Sequence, residues 1–179
     1  FHGPKGIGAL YVAAAARPWL APIMFGGGQE RGLRSGTLAT HQIAGFGRAC
    51  ALVRMEAGSD AVRMRALREA LWRSLADLSD VHLNSPLEGG SPAILNVSFE
   101  GVEGESLVTA LAGIAVSTGS ACSSATAEPS YVLRALGRSA ELAQSSLRFS
   151  LGRFTSEADI ARAGEAVKHA VTRLRSVAP

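Results

Sequence analysis

Met64, Leu67, Leu71, Leu75 and Leu78 recur at three- and four-residue spacing, which predicts an amphipathic helix with one buried stripe. Near the end of the chain Ile160, Ala163, Val167, Ala170, Val171 and Leu174 repeat that pattern, with Ser156 and Asp159 in capping positions before it. Such stripes are stable only against another layer. Between them lie strand-like runs at Val81-His82-Leu83, Ala93 to Phe99, Ile114-Ala115-Val116 and Ser146 to Leu151. The mixed order predicts an α/β chain containing an α+β domain, with helices packed on a small sheet.

Other signals fill in the order of elements. Ala9-Leu10-Tyr11-Val12 reads as a short strand after a glycine-rich turn, and Pro18 and Pro22 keep the next stretch irregular. Leu38 to Met55 is helical in pattern, and Ala57-Gly58-Ser59-Asp60 predicts a break between it and the next helix, and with it a domain boundary. Glu105 to Leu111 predicts a short helix, and Pro129 starts another through Leu136 that Gly137 ends. Arg63, Arg65, Arg68 and Arg73 fall between the apolar positions, as a solvated face or one that receives an acidic partner. The formal charge of +3 is spread along such helices, so the basic balance does not indicate nucleic acid. With no secretory signal and no long apolar span, the expectation is a soluble, cytoplasmic protein without a membrane role.

The chemistry-bearing residues are few. Cys122 stands in Ser117-Thr118-Gly119-Ser120-Ala121-Cys122-Ser123-Ser124-Ala125, among small polar residues that do not bury a thiol, a setting for a nucleophile. Cys50, in Gly47-Arg48-Ala49-Cys50-Ala51-Leu52-Val53, reads as plain core, and no structural bridge between the two is expected. Gly26-Gly27-Gly28 opens a loop carrying Gln29, Glu30, Arg31, Arg34, Ser35, Gly36 and Thr37. Backbone freedom, guanidinium groups and hydroxyls there are the ingredients of an anion site, although a plain glycine turn has the same look. His2, His41, His82 and His169 show no ligand spacing, so no metal site is expected.

Six stretches in order resemble the pyridoxal-phosphate-dependent cysteine desulfurases, which are class V aminotransferase-like enzymes. They are GPKGIGALYV from Gly3, GGGQERGLRSGT from Gly26, ILNVSF from Ile94, STGSACSSA from Ser117, EPSYVLRALG from Glu128 and SSLRFSLGRFT from Ser145. The resemblance covers nearly the whole chain and points to the subgroup that supplies sulfur for iron-sulfur clusters and transfer-RNA thiolation. It implies the C-terminal part of a fold-type I transferase: residues 1–56 as the tail of the large cofactor-binding domain, and 57–179 as the small domain with the cysteine loop.

The resemblance also implies roles. Cys122 is the nucleophile that takes sulfur from L-cysteine as a persulfide and leaves alanine, and it can transiently share an iron-sulfur cluster with a scaffold. Arg148 binds the substrate carboxylate, which suits a planar two-point guanidinium, although an arginine there can also brace structure. Thr37 reaches the cofactor phosphate of the opposite subunit, which implies a homodimer. Arg31 and Arg34 face scaffold or sulfur-acceptor partners, and His41, in THQIAG, packs near the subunit interface. The family's Schiff-base lysine precedes the residues that match Phe1-His2-Gly3-Pro4, together with the ring-stacking histidine and the aspartate for the pyridine nitrogen. Lys5 matches a different lysine, so the isolated chain is expected to be inactive. Competing readings are a cofactor-free persulfide carrier, and a selenocysteine lyase or related aminotransferase.

Overall fold

The computed structural model describes residues 2–118 and 128–177. The chain divides into two compact units, Phe1–Gly58 and Ser59–Pro179.

In the first unit, 3-10 turns at Ala14–Trp19 and Gln29–Gly32 precede the opening of helix α1 (Thr40–Leu75). The strand expected at Ala9–Val12 does not form; among the described residues nothing pairs with it, and Leu10 and Tyr11 are exposed. The start of the chain is held to α1 instead. Gln42 Nε2 donates to the Lys5 carbonyl at 2.8 Å, and a Cβ on Gly3 would lie 3.3 Å from Ala49 Cβ.

The break expected at Ala57–Asp60 is absent, since α1 runs through it without interruption. A glycine inside a helix costs roughly 1 kcal/mol relative to alanine. That is less than the burial of Leu67, Leu71 and Leu75 further along the same helix contributes, at about 1.5–3 kcal/mol each.

The second unit is built on a four-stranded antiparallel sheet in the order β1-β2-β4-β3. Its strands are β1 (Val81–Leu83), β2 (Ile94–Phe99), β3 (Ser117–Thr118) and β4 (Ser146–Ser150), and its helices after α1 are α2 (Gly104–Ala110), α3 (Tyr131–Ala135), α4 (Ala140–Gln144) and α5 (Glu157–Val177). Alternation sorts β2 and β4 into two faces. Leu95, Val97, Phe99, Leu147 and Phe149 enter one buried cluster with Leu67, Leu71 and Leu75 of α1 and Ile160, Val167, Ala170 and Val171 of α5. The stripe of α5 therefore packs as its spacing predicts, and that of α1 does so from Leu67 to Leu75, with Met64 outside the cluster and Leu78 beyond the helix end.

Helix ends follow local chemistry. Glu103 caps α2, its carboxylate accepting from the Glu105 and Ser106 amides at 3.2 and 2.7 Å. Ser156 and Asp159 cap α5 reciprocally: the Asp159 amide donates to Ser156 Oγ and the Ser156 amide to Asp159 Oδ2. Gly137, at φ 85°, ends α3 in the left-handed region, and the Gly137 and Arg138 amides donate back to the Arg134 and Leu133 carbonyls.

The strand expected at Ile114–Val116 begins instead at Ser117, because the Ile114 amide is turned back to the Leu111 carbonyl. Helix α4 leaves no periodic signal in the sequence, since its five residues are too few to show one. The arginine face of α1 is only partly solvated. Arg65 and Arg73 are exposed, but Arg68 is buried and Arg63 half-buried, its guanidinium donating to the carbonyls of Gly152, Arg153 and Thr155.

Candidate functional site

The sheet face opposite the apolar core is polar. In the register Asn96 stands opposite Arg148, and Arg148 stands opposite Ser117 on the next strand. Asn84, just past β1, extends the row, its amide donating to the Asn96 carbonyl at 2.9 Å. The row Asn84, Asn96, Arg148, Ser117 thus starts at the end of β1 and crosses β2, β4 and β3, and residues directly opposite each other place their Cβ atoms about 5 Å apart. It contains one cation, two amides and a hydroxyl, and no carboxylate.

Arg148 is exposed and, among the described residues, has no hydrogen-bond or ion-pair partner. Several other arginines of this unit are spent on bracing. Arg138 Nη2 donates to the Leu83 carbonyl at 2.7 Å, Arg153 pairs with Asp60 at 3.0 Å, and Arg175 donates to the carbonyls of Ser79, Asp80 and Glu100. A guanidinium left unpaired in a row of donors is a receptor for an anion, and its planar fork matches a carboxylate.

A directional network lies behind that row. Arg138 Nε donates to Asn84 Oδ1 at 2.6 Å, and Asn84 Nδ2 donates to Asn96 Oδ1 at 2.7 Å and to Ser98 Oγ at 2.8 Å. Ser98 Oγ meets Ser146 Oγ at 2.7 Å, and Ser146 Oγ donates to the Leu142 carbonyl of α4 at 2.7 Å. The sequence pointed to none of Asn84, Asn96, Ser98 or Arg138. The polar alternation at Asn96 and Ser98 inside an otherwise apolar strand was the available signal.

Thr37 belongs to the first unit. It is exposed and unpaired among the described residues, and the loop before it is fastened from within. Ser35 Oγ donates to the Gly27 carbonyl at 2.6 Å, and the Gly36 amide donates to Gln29 Oε1 at 3.1 Å. Gly36 has φ 116°, and a Cβ there would stand 2.9 Å from Arg34 Nη1, so the tight return before Thr37 needs glycine. The loop presents one free hydroxyl and the exposed guanidinium groups of Arg31 and Arg34. That chemistry fits a single hydrogen bond to a phosphate.

Cys122, the sequence candidate for nucleophile, lies outside the described residues. Cys50 is half-buried, short of the core position expected for it: its unit buries only Ser35 and Ala49 among the described residues. His41 is exposed on α1. Among the described residues no cluster of three or more His, Cys, Asp or Glu side chains is arranged to hold a metal ion, and no helix is long and apolar enough to cross a membrane.

The profile of the Aminotransferase class-V family matches residues 1–163. A curated relative, cysteine desulfurase IscS of Edwardsiella ictaluri, is 55% identical over 178 residues, which are 99% of this chain and 44% of that protein. Among solved structures, a NifS-like protein superposes with a TM-score of 0.75 at 35% identity, over 99% of this chain and 43% of its own. The structure of SspA in complex with cysteine matches at a TM-score of 0.58 and 31% identity, over 86% of this chain and 42% of its own. The chain spans less than half the length of the relatives it matches.

Proposed function

The chain belongs to the class-V aminotransferase family, and from that premise we propose that it forms part of a cysteine desulfurase. The observation that carries the reading is Arg148, an exposed and unpaired guanidinium in a row of neutral donors, one strand from the start of the segment that holds Cys122. In this reading residues 1–56 are the tail of the large cofactor-binding domain and residues 57–179 are the small domain.

Arg148 holds the carboxylate of L-cysteine and so fixes which way its thiol points. Cys122, as thiolate, attacks that sulfur: a sulfur–sulfur bond forms, the carbon–sulfur bond of the substrate breaks, and the carbon skeleton takes up a proton and leaves as alanine. Pyridoxal phosphate, when bound, supplies the electron sink that lets the carbon–sulfur bond break. Thr37 donates to its phosphate from the opposite subunit, which makes the working unit a homodimer. The persulfide on Cys122 then passes to a sulfur acceptor or an iron-sulfur scaffold; its sequence neighbours Ser120, Ala121, Ser123 and Ser124 are all small residues.

The test is alanine and sulfide release from L-cysteine by the full-length, cofactor-loaded enzyme with reductant, beside its Cys122→Ser variant. Turnover that disappears in Cys122→Ser is the expected result. Sulfide release that survives the substitution would overturn the assignment of the nucleophile, and no turnover of cysteine by the unsubstituted enzyme would overturn the reaction.

A further inference from the structure

We propose that Asn96 is a second donor to the substrate carboxylate beside Arg148, and that Arg138, acting through Asn84, is the positioning residue that turns it. The inference rests on the reading of Arg148 as the substrate arginine.

The argument is one of hydrogen-bond direction. A guanidinium has donors only, so Asn84 Oδ1 must be the atom that accepts from Arg138 Nε at 2.6 Å. The other end of the Asn84 amide is then its NH2, which faces Asn96 Oδ1 at 2.7 Å and Ser98 Oγ at 2.8 Å. Turning Asn96 over would set two NH2 groups against each other, so its orientation is fixed as well. Its acceptor end is consumed on the β1 side, and its Nδ2 is left as an unpaired donor among the described residues.

Asn96 stands opposite Arg148 in the register, with β1 on its other flank. A carboxylate seated on Arg148 therefore has a neutral amide donor within one strand spacing, and no acidic side chain in the row to repel it. Arg138 is itself anchored, its amide on the Leu133 carbonyl at the end of α3 and its Nη2 on the Leu83 carbonyl. Ser98 and Ser146 carry the same direction to the Leu142 carbonyl, so no member of the network is free to reverse alone.

The experiment uses the full-length, cofactor-loaded enzyme and reads equilibrium binding of L-alanine, which keeps the carboxylate, beside ethylamine, which lacks it, together with KM and kcat for L-cysteine. Asn96→Ala is expected to weaken L-alanine roughly tenfold and raise KM by a similar factor, with kcat and ethylamine binding within twofold of the unsubstituted enzyme. Arg138→Met is expected to weaken L-alanine by about threefold, and Arg148→Ala by about a hundredfold. Equal loss of L-alanine and ethylamine in Asn96→Ala would show a structural effect and overturn the inference. Unchanged L-alanine binding in Asn96→Ala with a large loss in Arg148→Ala would overturn the inference alone; no loss in either variant would overturn the reading of Arg148 along with it.

Discussion

Arg68 shows what one side chain can hold. It is 1% exposed, and Nη1 and Nη2 donate to the Ser91 and Leu87 carbonyls at 2.6 Å each, so α1 fastens the connection between β1 and β2. Replacing it with methionine keeps the apolar stem and strands both carbonyls. Arg68→Met is expected to cost about 1–3 kcal/mol, seen as a lower urea midpoint with faster amide exchange at Gly89 and Gly90. Gly104 makes the opposite demand. A Cβ there would overlap the Gln144 backbone carbonyl, which cannot swing aside as a side chain would. Gly104→Ala is therefore expected to cost about 1–3 kcal/mol by the same urea assay, although alanine is the better helix former.

At the scale of elements, α2 depends on a charge. The Ser106 hydroxyl, and then the amides of Ser106 and Glu105, hold the Glu103 carboxyl below its ordinary value of 4.5, against a small opposing effect of burial. A depressed carboxylate stabilises the fold above its unfolded pKa and loses that contribution as pH falls through the folded one. Amide protection at Glu105 and Ser106 is thus expected to be full near neutrality and to fall below about pH 4.5. In Glu103→Gln that pH dependence should vanish from the exchange profile of the two amides.

The elements that sequence alone made legible are those whose side chains repeat: the stripe of α1 from Leu67, the face of α5, and the alternation of β2 and β4. The continuity of α1 through Gly58 was not legible, because a weak local penalty says nothing about the packing that outweighs it. Nor did arginine spacing separate the buried Arg68 from the exposed Arg65, since what decides between them is the loop that comes to meet the helix. At the site, Arg148 was reached through its motif, and the amide row beside it emerges only from strand register.

Over the whole molecule the burial is unevenly shared. The cluster under the sheet of the second unit holds Leu95, Val97, Phe99, Leu147, Val167 and Val171 at full or nearly full burial. The first unit leaves Leu10, Tyr11, Trp19, Ile23 and Phe25 more than four-fifths exposed. Local opening is cheap where few apolar contacts must be broken, so resistance to a protease should follow that division. Limited chymotrypsin digestion of the 179-residue chain is expected to cut early at Leu10, Tyr11, Trp19 or Phe25, as well as at the exposed Tyr131 and Phe154, and to leave β2, β4 and the buried face of α5 intact long after. Mass spectrometry of the early fragments checks it. Early cuts inside β2 or β4, before any in the first forty residues, would show that the second unit has no independent stability and that its buried cluster is not what holds the chain together.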